Sequence, residues 1–236
     1  MVDGFEELSL ALDAGVVPDT VLHCPELMLD AERQSALVER ARALGASTIR
    51  LSRSAFERVA YREGPDGFLA VVPVAGVALD DLDLPTDPLL LVCEGIEKPG
   101  NLGAMLRTAE AAGVAAVVAA DPLTDWGNPN VVRASKGTVF SVPVTTATTR
   151  EVLGWLRDNG IRLVATTPDS DTSHTAVDYR GAVAVAVGTE KAGLTDVALG
   201  AAAERVRIPM VGRVNSLNAA TAAAVVVYEA VRQRSA

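Results

Sequence analysis

From residue 89 onward, the chain alternates between two patterns of apolar residues. Short apolar runs rich in Val and Ala are separated by segments whose apolar residues recur every three to four positions. The runs are typical of parallel strands covered on both faces, and the recurring spacing predicts amphipathic helices. The predicted strands are LLLVCEG (89–95), VAAVVAA (114–120), VFSVPV (139–144), IRLVATT (161–167), AVAVAVG (182–188) and RVRIPM (205–210). With a long final helix from about Ser216 to Arg234, this pattern predicts an α/β domain with a mostly parallel sheet over residues 89–236.

The first 79 residues show a shorter version of the same alternation. Helical spacing and strand-like runs predict a small α/β domain over residues 1–79. The predicted helices are 5–15, 31–45 and 52–61, and the predicted strands are 48–52 and 68–74. Residues 80–88 (DDLDLPTDP) are acidic, contain two prolines and lack a helical period, so they predict a linker.

Charge is distributed unevenly along the chain, which changes what the net value of −9 implies. A nucleic-acid-binding surface needs cations to neutralise phosphates, so the net negative charge taken alone argues against nucleic-acid binding. However, all seven basic residues of the first domain lie between Arg33 and Arg62, where Glu39 and Glu57 are the acids, so this stretch nets 7 − 2 = +5. A solvated helix face and a surface that contacts RNA explain this basic stretch about equally well.

Cysteines and histidines give no sign of a metal site. Cys24 and Cys93 lie far apart and form no CxxC pattern, so we expect two buried, reduced thiols. His23 and His174 also lack partners at ligand spacing. No apolar run approaches the about 18 residues of a membrane span, and the N-terminus has no secretory signal, so we expect a cytoplasmic protein without membrane attachment.

Polar or glycine-rich segments follow four predicted strands, at the edge where parallel sheets bind ligands. In one of them Asn101 can cap the following helix, and Arg107 lies about one and a half turns further on, where a surface salt bridge is the ordinary expectation. In another, Asn215 or Ser216 can cap the last helix, which would place Asn218 in its first turn. Capping explains one of these three polar residues but hardly all of them.

Three of these segments together resemble one family. NLGAMLRTA (101–109) is similar to motif 1, Asn-x-Gly-x-x-x-Arg-Thr-Ala, of the SpoU (TrmH-like) RNA ribose 2′-O-methyltransferases. VGTEKAGL (187–194) resembles their motif 2, with Glu190 at the acidic position. IPMVGRVNSLNAATA (208–222) resembles motif 3, including its Ser-Leu-Asn triplet. The chain departs from the family at Lys98 and at the residue before the triplet, where members often have acidic side chains.

The resemblance implies a fold. Members of this family have the SPOUT α/β knot, a mostly parallel sheet whose chain forms a C-terminal trefoil knot. The region 1–79 resembles, more weakly, the L30e-like substrate-binding domain of larger members. Those members usually begin with a longer, often basic stretch, so this domain is expected to be short at its N-terminus.

The resemblance also implies a cofactor and roles for individual residues. S-adenosylmethionine (AdoMet) is the expected cofactor, and its expected site residues are Thr166, Gly188, Ile208, Met210, Ser216 and Leu217. The residues expected in catalysis are Arg107, Asn101, Ser216, Asn218 and Glu190. Arg107 is expected to contact the substrate phosphate and to help remove the 2′-proton, while Asn101 and Ser216 position it and the nucleotide.

The expected partners are RNA and a second copy of the chain. The arginines expected to contact RNA are Arg33, Arg40, Arg42, Arg53, Arg58 and Arg62. An L30e-like domain favours 23S rRNA over tRNA as the substrate. A member that binds RNA without turnover is an alternative, as is an unrelated nucleotide-binding protein. The latter is disfavoured because residues 188–195 do not end in Gly-Lys-Ser/Thr and no G-x-G-x-x-G follows a first strand.

Overall fold

The structure, a computed structural model, describes residues 1–235, and they pack into two compact units. The first unit contains residues 1–75 and 126–141, and the second contains residues 76–125 and 142–235. The strands are β1 (Val2–Asp3), β2 (Thr20–His23), β3 (Ser47–Arg50), β4 (Phe68–Val71), β5 (Leu89–Glu94), β6 (Ala116–Ala120), β7 (Val144–Ala147), β8 (Arg162–Thr166), β9 (Val183–Val187) and β10 (Glu204–Val206). The α-helices are α1 (Phe5–Asp13), α2 (Ala31–Ala43), α3 (Arg53–Val59), α4 (Pro99–Ala112), α5 (Pro129–Ala134), α6 (Thr149–Asp158), α7 (Asp196–Ala201) and α8 (Ala219–Arg234).

The first unit is built on a four-stranded sheet with the order β1–β4–β2–β3. Strands β2 and β3 are parallel, and the other two pairings are antiparallel. The three predicted helices and the two predicted strands are present, but the sequence analysis missed β1 and β2. Strand β1 has only two residues and β2 (TVLH) has only two apolar ones, so neither forms an apolar run, and pairing with β4 defines both.

The second unit is built on a six-stranded sheet with the order β10–β8–β9–β5–β6–β7, and all five pairings are parallel. The prediction of a mostly parallel α/β domain is therefore confirmed. Both central strands, β5 and β9, are buried along their whole length, which explains their continuous apolar sequence. Because every strand runs in the same direction, the segments that follow β5, β8, β9 and β10 emerge at one edge of the sheet.

The predicted strand VFSVPV (139–144) is wrong except at its last residue. Residues Thr138–Phe140 form a single turn of 3₁₀-helix, and β7 begins only at Val144. The hydroxyl of Thr138 donates to the carbonyl of Ser135 at 2.9 Å, a local bond that competes with strand pairing. Pro143 also removes a ladder donor, so β7 starts after it.

The predicted strand RVRIPM (205–210) is shorter than expected. Strand β10 ends at Val206, and Arg207 instead pairs with the segment before His174: its N–H donates to the carbonyl of Thr172 at 2.8 Å. Pro209 then prevents a longer ladder.

Two segments pack differently from the predicted division into residues 1–79, 80–88 and 89–236. Residues 126–141 leave the second unit between β6 and β7 and belong to the first, where the Trp126 and Val131 side chains are buried. In the predicted linker, Leu82 and Leu84 pack against the core of the second unit. The trefoil knot and the L30e-like character of the first unit remain predictions.

Both cysteines are buried and free, as the sequence predicts. Burial raises the pKa of the Cys93 thiol to about 12, which keeps it protonated and unreactive at neutral pH. Within residues 1–235, no helix is both long enough and apolar enough to cross a membrane.

Candidate active site

The segment after β5 places Asn101 inside a helix rather than at its cap. Helix α4 begins at Pro99, with Lys98 as the N-cap residue, so the predicted capping role of Asn101 is wrong. Proline is favoured at the first helical position because it has no N–H to satisfy there. The side chain of Asn101 therefore projects from the first turn of α4 and is available for contacts outside the helix.

Side chains from all three motif segments meet at one point. The amide nitrogen Nδ2 of Asn101 donates to Oε1 of Glu190 at 2.9 Å. Nδ2 of Asn218 donates to the same Oε1 at 2.6 Å and to Oδ1 of Asn101 at 3.0 Å. We call Asn101, Glu190 and Asn218 the polar triangle. It joins residues that lie 89 and 28 positions apart in the chain.

Asn218, rather than Asn215 or Ser216, caps the last helix. Its Oδ1 accepts hydrogen bonds from the N–H groups of Ala220 at 3.0 Å and Thr221 at 3.4 Å, so the predicted capping residues are corrected. One side chain therefore fixes the start of α8 with its oxygen and the polar triangle with its nitrogen.

Lys98 adds a positive charge to the polar triangle. Its ammonium group forms an ion pair with Oε2 of Glu190. The hydrogen bond from Lys98, followed by that from Asn101, lowers the pKa of the Glu190 carboxyl below its ordinary value of 4.5. Lys98 thus places an ammonium group against the Glu190 carboxylate, at the position where the family resemblance leads one to expect an acidic residue.

Replacing Lys98 with Met should raise the pKa of Glu190 toward 4.5, because the strongest hydrogen bond to the carboxylate is lost. A carboxyl whose pKa is lowered by folding stabilises the protein above its ordinary pKa, and this contribution is lost as the pH falls through the folded value. In Lys98→Met the polar triangle should therefore be lost at higher pH than in the wild type. Carbon-detected NMR titration of the Glu190 carboxyl measures this shift.

Lys191→Met is the matched control, since Lys191 is a neighbouring exposed lysine that takes part in no ion pair within residues 1–235. Thermal stability at neutral pH should change little in either variant, because exposed ion pairs contribute little. An unchanged Glu190 titration in Lys98→Met would contradict this account.

A pocket of about 470 Å³ lies beside the polar triangle at the same edge of the sheet. All six residues predicted to bind the cofactor line it: Thr166, Gly188, Ile208, Met210, Ser216 and Leu217. Its size falls within the range of about 300–1,000 Å³ that is usual for small-ligand sites. The sequence prediction therefore identified a set of residues that the fold brings together.

Gly188 is needed where the pocket wall turns. A Cβ atom built at this position would lie 2.1 Å from the carbonyl carbon and oxygen of Gly193, a distance that real side chains do not tolerate. Thr189 and Gly193 exchange two backbone hydrogen bonds of 3.0 Å, which hold the turn that carries Glu190. The glycine thus allows the turn to close against the strand end and keeps Glu190 in the polar triangle.

Arg107 lies on α4, exposed and without the surface salt bridge that would be its ordinary role. No ion pair or side-chain hydrogen bond within residues 1–235 involves it, and it does not line the pocket. Its guanidinium is therefore available to a ligand outside the pocket. Ser216, by contrast, is exposed and lines the pocket.

The structure divides the arginines predicted to contact RNA. Four form ion pairs inside the first unit, with the partners Asp13, Glu39, Glu57 and Asp66: Arg40, Arg42, Arg53 and Arg62. Arg33 lies over the ring of Phe5, 5.4 Å from its centroid. Arg58 is exposed and takes part in no ion pair among the described residues. Most of the basic stretch thus also has a structural role.

Sequence reasoning missed Glu94, a buried carboxylate at the end of β5. Its Oε1 accepts hydrogen bonds from the hydroxyls of Thr149 at 2.8 Å and Thr195 at 2.7 Å, and its Oε2 accepts one from the N–H of Thr195 at 2.8 Å. Thr195 caps α7, and Thr149 is the first residue of α6. A carboxylate between two helix N-termini is stabilised by their dipoles. Its only signal in the sequence is an acidic residue ending an apolar run.

The parallel sheet of the second unit, with a ligand pocket at one edge, belongs to a chain whose fold is that of solved RNA methyltransferases. An RNA 2′-O ribose methyltransferase superposes with a TM-score of 0.85 and 37% identity, over 99% of this chain and 88% of that one. The SpoU methyltransferase AviRb from Streptomyces viridochromogenes, in complex with AdoMet, superposes with a TM-score of 0.85 and 29% identity, over 99% of this chain and 89% of that one.

Sequence comparison identifies the family. The profile of the SpoU rRNA Methylase family matches residues 88–228. The 23S rRNA (guanosine-2′-O-)-methyltransferase RlmB of Shewanella oneidensis is 32% identical over 226 residues, which is 90% of this chain and 92% of that protein. The chain belongs to the SpoU rRNA methylase family, and the predicted family is confirmed.

Proposed function

We propose that this protein transfers a methyl group from AdoMet to the 2′-hydroxyl of a ribose in 23S rRNA. The observation that carries this proposal is the polar triangle, in which all three family motifs meet beside the 470 Å³ pocket. The similarity of RlmB and of the AdoMet-bound AviRb, each over about nine-tenths of the chain or more, supports the same reaction and cofactor.

The pocket residues fit AdoMet. Ile208, Met210 and Leu217 are half-buried and offer an apolar slot for an adenine ring. The hydroxyl of Thr166 is buried without a hydrogen-bond partner among residues 1–235, so it is free to bind a polar group of a ligand. When bound, AdoMet supplies an electrophilic methyl group on its sulfonium.

The chain's own residues then orient and activate the ribose. Arg107 holds a substrate phosphate and stabilises the negative charge that develops on the 2′-oxygen as its proton passes to water. Because a guanidinium is normally always protonated, it acts by charge and hydrogen bonding toward that oxygen. Asn101 and Ser216 position the nucleotide, and Glu190 and Asn218 hold Asn101 in place.

Ribosomal RNA is favoured over tRNA by the extent of the structural matches. Structures of rRNA-modifying or AviRb-type members cover 98–99% of the chain, whereas a structure described for 2′-OH methylation of C/U34 on tRNA covers 67% with a TM-score of 0.59. We expect methyl incorporation from labelled AdoMet into deproteinised 23S rRNA and not into bulk tRNA. Incorporation into tRNA alone would contradict the rRNA assignment.

A cytoplasmic homodimer completes the proposal. Helix α8 buries most of its Ala and Val side chains within the chain, but Ala222, Ala224 and Val225 are only partly buried, and such small residues allow close approach of a second helix. Tyr228 on this helix is 48% exposed, which leaves apolar surface for a partner copy to cover. Sedimentation should show a dimer, and a stable monomer that still methylates RNA would overturn this part of the proposal.

A further inference from the structure

The first unit presents an aromatic ring that is exposed and yet fixed in position. Of the aromatic side chains in residues 1–235, Tyr61 and Tyr228 are the exposed ones, and Tyr61 is 48% exposed. The backbone N–H of Tyr61 donates to Oδ2 of the buried Asp3 at 2.8 Å. Its hydroxyl accepts a hydrogen bond from Nδ2 of Asn130 at 2.8 Å. The residue is thus anchored at its backbone and at the tip of its side chain, so a ligand that stacks on the ring meets a preorganised surface.

The partner that anchors this ring comes from residues 126–141, the segment that leaves the second unit to join the first. This segment contains Arg133 and Lys136 and no acidic residue, in a chain whose net charge is −9. Both cations are exposed, and no ion pair within residues 1–235 involves either. Arg133 lies on α5 three residues after Asn130, so it shares a helix face with the residue that holds the Tyr61 hydroxyl.

Asn130 has an unused hydrogen-bond acceptor beside the ring. Its Nδ2 is committed to Tyr61, and its backbone N–H donates to Oδ1 of Asn128 at 2.9 Å. No hydrogen bond among the described residues engages Oδ1 of Asn130, so that atom can accept from the edge of a base.

We infer that Tyr61, Asn130 and Arg133, which we call the Tyr61 platform, bind an unpaired nucleotide of the RNA substrate. The ring stacks on the base, Oδ1 of Asn130 accepts a hydrogen bond from the base edge, and Arg133 pairs with a neighbouring phosphate. An aromatic ring beside an amide and a cation matches the way proteins bind single-stranded RNA, whereas duplex bases are already stacked and cannot use it. The inference rests on the proposed action on RNA, but it concerns a surface that contains none of the pocket or motif residues.

The test compares RNA binding by Tyr61→Leu and Tyr61→Phe, using a 23S rRNA fragment with an unpaired loop and a duplex of the same length. Leucine keeps an apolar side chain but removes the ring, so affinity for the looped RNA should fall about tenfold, within the range found for stacked bases. Phenylalanine keeps the ring and should lose much less. The affinity for the duplex should not change in either variant.

Arg133→Ala should reduce the slope of log K against log salt by about 0.7 to 0.9, the value for one phosphate contact. Arg157→Ala is the matched control, since Arg157 is exposed, lies in the second unit and pairs with its neighbour Asp158. Calorimetry should give the same AdoMet affinity for all variants and the wild type, which shows that the second unit, where the pocket lies, is folded. Circular dichroism spectra and melting curves that match those of the wild type are the corresponding check on the first unit.

The Tyr61 platform would be overturned if Tyr61→Leu bound looped RNA with wild-type affinity, or if Tyr61→Leu and Tyr61→Phe lost equal affinity. The proposed function would be left intact by either result. A wild-type protein that methylates no RNA, together with the expected pattern of binding losses, would refute the proposed function and support the platform.

Discussion

Replacing Arg107 with Ala should lower kcat for methyl transfer about 100- to 1,000-fold, the usual cost of removing one group that stabilises transition-state charge. Arg107 is exposed on α4, within the same helix as Asn101 of the polar triangle, and has no ion-pair partner within residues 1–235. Arg107 does not line the pocket. The AdoMet dissociation constant should therefore stay within about twofold of the wild-type value, where a tenfold change would correspond to about 1.4 kcal/mol of binding free energy. Single-turnover kinetics with saturating RNA and calorimetry with AdoMet measure the two quantities separately.

Two further variants make this result specific. Arg107→Lys keeps the positive charge but loses the planar, multidentate guanidinium, so it should recover only part of the rate. Arg150→Ala removes another exposed arginine of the second unit that forms no ion pair within residues 1–235, and it should leave turnover unchanged. Turnover of Arg107→Ala at the wild-type rate would refute the role assigned to this residue.

Replacing Glu94 with Ala should destabilise the second unit by about 3 kcal/mol, because the Thr195 N–H and two threonine hydroxyls lose a buried acceptor. The side chain of Glu94 is 3% exposed, so water cannot easily replace the lost hydrogen bonds. A loss of this size lowers the melting temperature by about 6–12 °C for a domain of this length. Urea denaturation should show a lower midpoint with an unchanged slope.

The effect of Glu94→Ala should also reach the pocket. Thr195 follows directly after the turn that carries Glu190, so losing its anchor loosens one pocket wall and weakens AdoMet binding. Glu97→Ala is the control, since Glu97 lies three residues further along, is exposed and forms no ion pair within residues 1–235. Equal denaturation midpoints for the two variants would show that the buried hydrogen bonds of Glu94 do not stabilise the fold.

The sequence predicts well those features that are set locally. The apolar runs of β5 and β9 identify buried parallel strands because both faces of each strand are covered. This pattern can be read from each segment alone, without knowing which strand it pairs with. The spacing within the three motifs identifies the family, and the fold brings the expected pocket residues together.

The features that the sequence does not predict depend on contacts between distant segments. The sequence favours Asn215 or Ser216 as the cap of the last helix. In the structure Asn218 caps it, and the same side chain bonds to Glu190 and Asn101, which lie far away in the chain. Residues 126–141 look like part of the surrounding domain because nothing local shows that they pack against the first unit. The role of Glu94 cannot be predicted from the sequence because its partners, Thr149 and Thr195, lie 55 and 101 residues away in the chain.

The central claim is that the methyl group is delivered to a ribose 2′-oxygen, and the chemical position of the transferred methyl tests it most directly. Purified protein should be incubated with deproteinised 23S rRNA and AdoMet labelled in its methyl group, and the RNA then digested to nucleosides and, separately, hydrolysed with alkali. The account predicts one labelled 2′-O-methylnucleoside and an alkali-resistant dinucleotide, because a methylated 2′-oxygen cannot attack the neighbouring phosphate. Label on a base, or an RNA that stays unlabelled under conditions where AdoMet binds, would contradict it.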